Sequence, residues 1–113
     1  MDDHAGFRAQ ARSVLDGAGF EVVGEAEDAA GAIEEAWKLR PQVVLLDVQL
    51  PDGSGFDVAR SLASWRDPPV VILISSRDAS DYGRRIEGSG ALGFIWKGEL
   101  SAATLRALIG TNR

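Results

Sequence analysis

Residues 43–53 read Val-Val-Leu-Leu-Asp-Val-Gln-Leu-Pro-Asp-Gly. Four consecutive apolar residues, two of them β-branched, run straight into the carboxylate of Asp47, and a turn on Pro51, Asp52 and Gly53 follows. A short run that is apolar at every position reads as a strand buried on both faces, as in a parallel sheet. Ending such a strand in Asp47 places that carboxylate at the carboxyl edge of the sheet, where open α/β folds carry their sites. Two more runs repeat the pattern: Val70 to Ile74 leads into Ser75, Ser76 and Arg77, and Ala91 to Trp96 leads into Lys97.

Helical spacing separates these runs. Phe7, Ala11, Val14, Leu15 and Ala18 share one stripe, with Gly17 and Gly19 as stops, and Phe20 to Val23 then reads as a short strand. Ala29, Ile33, Ala36 and Trp37 mark a second helix, ended where Pro41 forces Arg40 out of helical geometry. Val58, Ala59, Leu62 and Trp65 mark a third, closed by Asp67-Pro68-Pro69. Asp78 to Glu87 is a weaker fourth, with Gly83 inside it, and Ser101 caps a last helix that turns Ala102, Leu105, Leu108 and Ile109 inward. Strands alternating with helices predict an α/β fold with a doubly wound parallel sheet, in one domain over residues 1–113. Trp37 and Trp65 read as core or helix-edge packing, and His4 as a helix-start residue.

Composition narrows the function. A formal charge of −5 with a pI near 4.7 offers no basic patch, which argues against nucleic acid as a direct partner. The absence of cysteine excludes disulfides, thiolate metal sites and a cysteine nucleophile. The longest apolar run is far too short to span a bilayer, and the acidic start Met1-Asp2-Asp3-His4 is unlike a secretory signal, so a cytoplasmic protein with no membrane partner is expected.

Asp47, Ser75 and Lys97 close the three strands on one edge, and Asp2 and Asp3 join them there if a strand leads into the first helix. Converging carboxylates repel one another, and a hard divalent cation such as Mg²⁺ relieves them. A lysine and a hydroxyl alongside would hold the oxygens of a transferring phosphoryl group, leaving one carboxylate as nucleophile.

With Asp3 to Asp47 spanning 44 residues, Asp47 to Ser75 spanning 28 and Ser75 to Lys97 spanning 22, the chain resembles a response-regulator receiver domain (CheY-like) of two-component signalling over residues 2 to about 109. The resemblance implies a five-stranded flavodoxin-like fold. It implies that Asp47 accepts a phosphoryl group from the phosphohistidine of a sensor histidine kinase or phosphotransfer protein. It implies that Asp3 binds Mg²⁺ directly, Asp2 through water, and Gln49 through its backbone carbonyl, with Asp47 completing the set. Lys97 would pair with the phosphoryl group, Ser75 would turn its hydroxyl towards it, and Phe94 would be the aromatic switch. The surface of the fourth helix, third apolar strand and last helix, around Phe94 and Trp96, would then change its affinity for a downstream protein.

The chain departs from the family at its start. Only Met1 precedes Asp2, where receivers carry an apolar strand in the middle of the sheet. Its absence predicts that the strands at Phe20 and Val43 lack a common neighbour, that Asp2 and Asp3 fray and bind Mg²⁺ poorly, and that the protein loses stability, self-associates as a homodimer or rearranges its sheet. Gly98 follows Lys97 where many receivers have proline. Two other functions compete: a degenerate receiver that serves as a phosphorylation-independent scaffold, and an aspartyl-phosphate phosphatase. The second needs an acid/base Asp two residues after the nucleophile, a position held here by Gln49. With no output domain after residue 113, the sequence reads as a stand-alone regulator or as a receiver from a longer protein, and as a signalling module rather than an enzyme.

Overall fold

The three apolar runs pair as parallel strands in a computed structural model that describes residues 1–110; the last three residues of the expected unit lie outside the described residues. β1 (Val43–Asp47), β4 (Val70–Ser75) and β5 (Gly93–Trp96) form one sheet in the order β1-β4-β5, and β2 (Gln49–Leu50) and β3 (Gly53–Ser54) form a small antiparallel hairpin after β1. The register sets Asp47 beside Ile74 and Ser75 beside Trp96, so Asp47, Ser75 and Lys97 emerge at one edge. Helices α1 (Ala5–Gly17), α2 (Ala29–Leu39), α3 (Gly55–Ala63) and α5 (Ala102–Gly110) cover the sheet.

Both faces are packed, as runs without polar alternation require. Val44, Leu46, Val71 and Leu73 meet Ala32 and Ala36 of α2 and Phe56, Val58, Ala59 and Leu62 of α3. Leu45, Ile72, Ile74 and Ile95 meet Ala11 of α1 and Leu105 of α5. Leu46, Ile72, Leu73 and Ile74 are fully enclosed, each contributing about 1.5–3 kcal/mol of apolar burial, so the strands are held chiefly by this double layer.

The expected strand at Phe20 to Val23 does not form: residues 20–26 carry no regular secondary structure and belong to no sheet. Between that segment and β1 lies a groove of about 600 Å³. A parallel ladder turns alternate residues to opposite sides, and the bonds Val70 N–H to Gln42 C=O and Val48 N–H to Ile74 C=O assign the even-numbered residues of β1 to β4. Val43 and Leu45 therefore face the groove, where the amides of both find no partner among the described residues.

The groove is closed at one end by Met1 and Asp2, which corrects the expectation that the two segments share no neighbour. The Met1 ammonium donates to Leu45 C=O at 2.8 Å, Asp47 N–H donates to Met1 C=O at 3.0 Å, and Asp2 N–H donates to Ala26 C=O at 2.9 Å. Burial lowers the pKa of that ammonium. The sheet is thus three parallel strands with Met1 and Asp2 alongside β1.

Two local expectations also change, and the end of α2 falls at Arg40 as expected. The fourth helix shrinks to a 3₁₀ turn at Ala79–Asp81 and the short α4 (Arg85–Gly88), because Gly83 between them adopts φ +55°. Trp37 leaves the buried face of α2, where Ala32 takes its place; the indole is 57% exposed and packs edge-on to Trp65 at 5.3 Å, with the Arg40 guanidinium 3.8 Å above it. Arg40 ends α2 in the left-handed region, as the following Pro41 disfavours helix.

Candidate functional site

Lys97 follows the end of β5 and reaches across the sheet edge. Its Nζ lies 2.6 Å from Asp2 Oδ2 and 3.0 Å from Asp47 Oδ2, with the Phe7 ring 4.4 Å away on the side of α1. Asp47 is held from the other side by the amide of Gln49, which donates to its Oδ1 at 3.0 Å. The tight turn behind Asp47 depends on Gly55: its N–H donates to Val48 C=O at 2.6 Å, and a Cβ there would collide with the carbonyl oxygen of Asp47.

Asp2 is the most enclosed of the acids, at 1% exposure, and it is not frayed. Arg8 donates to its carbonyl at 2.6 Å and binds Glu25, which also receives Arg12, so α1 clamps Asp2 to the 20–26 segment. The His4 amide donates to Asp2 Oδ1 at 2.8 Å. Asp3 is exposed, and the His4 imidazole Nδ1 stands 3.0 Å from its carboxylate and 3.3 Å from that of Asp2. His4 does begin α1, as expected, but its ring sits with the acids.

The charges divide unequally. Burial pushes the Asp2 carboxyl up, but the adjacent Lys97 ammonium and the contacts from Asp47 and the His4 amide carry it below the usual value. Asp47 stands above the usual value, through burial and the neighbouring Asp2, against the pull of the Gln49 amide and Lys97. Burial draws Lys97 down, and its two carboxylate partners more than reverse this.

The site suits a hard cation on two grounds. Asp2 Oδ2 is buried and shares the Lys97 ammonium with Asp47 Oδ2, so two enclosed carboxylates face one cationic side chain. Asp2, Asp3, His4 and Asp47 offer ligand atoms within 4.8 Å of one another, mostly the carboxylate oxygens that Mg²⁺ prefers. Gln49 opens β2 with its amide committed to Asp47 and its side chain exposed.

Ser75 is at the same edge, but its hydroxyl is engaged elsewhere: it accepts from the Arg77 amide at 3.0 Å and lies 2.7 Å from the Tyr82 hydroxyl. Tyr82 packs on Phe56 at 5.3 Å and Phe94 at 5.8 Å. Phe94 is half-buried, while Trp96 is 45% exposed and donates through its indole to Ser76 C=O. Gly98 leaves room for that indole, since a Cβ would meet the ring at 2.6 Å. Sequence reading missed Tyr82, Arg8 and Asp52, whose carboxylate accepts from the Ala29 and Ala30 amides at the start of α2. Only Asp52, in the acceptor-loop turn, carried a hint, as an acid able to cap.

Comparison with known proteins identifies the family. Residues 1–109 match the family model described as the response regulator receiver domain. The transcriptional regulatory protein PdtaR of Mycobacterium tuberculosis is 36% identical over 98 residues, covering 85% of this chain and 46% of that protein. The signal receiver domain of a response regulator described as NarL, also from Mycobacterium tuberculosis, superposes with a TM-score of 0.83 at 35% identity, over 96% of this chain and 92% of that one. The chemotaxis response regulator CheY4 of Vibrio cholerae shares the fold, with a TM-score of 0.82 at 23% identity over 97% and 92% of the two chains. The chain spans about half the length of the curated relatives it matches. Its three-stranded parallel sheet is therefore a flavodoxin-like receiver fold, and the chain belongs to the response regulator receiver domain family of two-component signalling.

Proposed function

We propose that this chain is a phosphorylation-switched receiver in which Asp47 takes a phosphoryl group from the phosphohistidine of a sensor kinase or phosphotransfer protein. The observation that carries the reading is the Lys97 ammonium held within 3.0 Å of Asp47 and 2.6 Å of Asp2 at the carboxyl edge of the sheet. In the transfer, a carboxylate oxygen of Asp47 attacks phosphorus in line. The P–N bond to the donor imidazole breaks with its electron pair left on nitrogen, and Asp47 becomes an acyl phosphate. Lys97 turns from the carboxylates to the incoming phosphoryl oxygens, and Ser75 moves its hydroxyl to a third. Asp2, Asp3, Asp47 and the Gln49 carbonyl would hold Mg²⁺, which when bound neutralises the acids and the phosphoryl oxygens.

The phosphatase alternative loses support at Gln49, whose side chain is exposed and cannot transfer a proton. Residues 1–113 act as one receiver unit in this reading, and the face bearing Phe94 and the exposed Trp96 meets a downstream protein. Among the described residues no helix is long and apolar enough to cross a membrane, in keeping with a cytoplasmic site of action. Relatives such as PdtaR, described as transcriptional regulatory proteins, support a role in gene control. The test is intact-mass spectrometry after incubation with a small phosphodonor, with and without Mg²⁺, on this chain and on Asp47→Asn. A Mg²⁺-dependent phosphoryl adduct absent from the variant is expected. No adduct under any condition points instead to a phosphorylation-independent scaffold.

A further inference from the structure

We propose that Tyr82 is a positioning residue that holds the Ser75 hydroxyl in its resting place and so sets how readily the receiver switches; the proposal rests on the receiver reading above. Ser75 is 1% exposed, and its Oγ is shared between the Arg77 amide at 3.0 Å and the Tyr82 hydroxyl at 2.7 Å. A serine hydroxyl has one hydrogen and two lone pairs. Its described contacts include neither Asp47 nor Lys97, so carrying Oγ to a phosphoryl group on Asp47 moves it away from Tyr82 and gives up that short contact, whichever hydroxyl donates in it.

The phenol ring is well placed to transmit that event. On one side it rests edge-on against Phe56, a fully buried residue of α3; on the other it meets Phe94 of β5, tilted at 5.8 Å. Phe94 cannot change its packing without touching the same ring that restrains Ser75. Movement of the ring would be cheap, because Tyr82 belongs to no long helix: it follows a single 3₁₀ turn, and Gly83 at φ +55° interrupts the chain just after it. Ser75 release and Phe94 repacking would thus be coupled through the one ring that touches both.

Trifluoroberyllate, which mimics an acyl phosphate on a carboxylate, reads the switch without turnover. Tyr82→Phe keeps both ring contacts and removes only the hydroxyl. With Mg²⁺ present it is expected to bind trifluoroberyllate about fivefold more tightly than the parent, the ratio equivalent to one ordinary neutral hydrogen bond lost from the resting state. In a Ser75→Ala background the same substitution should change affinity by less than about 1.5-fold, since the restraint acts through Ser75. Urea unfolding without ligand separates this from general loosening, which would weaken the fold and persist in the Ser75→Ala background. Equal affinities for parent and Tyr82→Phe, or an undiminished effect in the double variant, would overturn the proposal while leaving the receiver reading intact. If the parent itself neither binds trifluoroberyllate nor forms a phosphoryl adduct, the receiver reading fails and the proposal falls with it.

Discussion

Replacing Gly55 by Ala tests whether the turn that positions Asp47 is as tight as the structure shows. Gly55 is the buried first residue of α3, and its N–H is bonded to Val48 C=O at 2.6 Å. A Cβ there would overlap the Asp47 carbonyl oxygen and stand 2.8 Å from Val48 Cα and 2.9 Å from the Asp47 carbonyl carbon. All three are backbone atoms, which cannot rotate away as a side chain would. Overpacking of this kind costs about 1–3 kcal/mol, and straining the Gly55–Val48 bond adds about 1. The better helix propensity of Ala returns at most about 1, leaving a net loss of about 1–3 kcal/mol. For a chain of this size that corresponds to a fall in Tm of roughly 4–12 °C. Gly6 is the control: it lies in α1 with nothing within 4 Å of the added Cβ, so Gly6→Ala should raise stability by about 0.5–1 kcal/mol. Both are read by differential scanning calorimetry. A Gly55→Ala protein that melts with the parent would refute the close approach and with it the stated placement of Asp47.

Asp47→Asn should stabilise the protein at neutral pH by about 0.5–2 kcal/mol, as substitutions at strained functional positions do. The sign follows from Asp47 titrating above its unfolded value: its ionisation costs the folded state stability once the pH exceeds 3.8, and the amide removes that cost, which urea titrations at pH 4 and 7 would show. Lys97→Met should destabilise by about 2–3 kcal/mol at pH 7 by leaving two enclosed carboxylates without their cation, and the deficit should shrink when Mg²⁺ is added. Because Lys97 titrates above 10.5 in the folded protein, its contribution is whole below 10.5 and is lost as the pH rises through its folded value; the parent should lose alkaline stability that Lys97→Met does not. Amide exchange followed by NMR should be fast at Val43 and Leu45, which face the groove, and slow at Val44 and Leu46, which face β4; uniform protection along β1 would mean the groove is filled.

The parts of the fold legible in the sequence are those fixed by burial on both sides. Val43 to Leu46 and Val70 to Ile74 have no polar position to expose, so a parallel sheet with helices on each face was the only arrangement that hides them. Phe20 to Val23 misled because strand propensity needs a partner edge, and the backbone bond between this segment and Met1-Asp2 is Asp2 N–H to Ala26 C=O, outside residues 20–23. The helix expected over Asp78 to Glu87 failed at one residue, Gly83, whose left-handed conformation no apolar spacing reveals. Within the site, Asp47 and Lys97 could be placed on one edge from strand ends alone. Their closeness to Asp2 could not, since it depends on Met1 and Asp2 being pinned by Leu45, Ala26 and Arg8. The pairing of Ser75 with Tyr82 was hidden for a similar reason: Ser75 ends a strand and Tyr82 follows a 3₁₀ turn, so no single element's period relates them.

The central claim is that Asp47 is the phosphoacceptor, and mapping the modified residue tests it most directly. The protein would be treated with a small phosphodonor and Mg²⁺, reduced with borohydride to convert an acyl phosphate to a stable alcohol, digested and sequenced by tandem mass spectrometry. The account predicts homoserine at position 47 and nowhere else. Modification at Asp2, Asp3 or Asp52 with Asp47 untouched, or no modification at all, would contradict it.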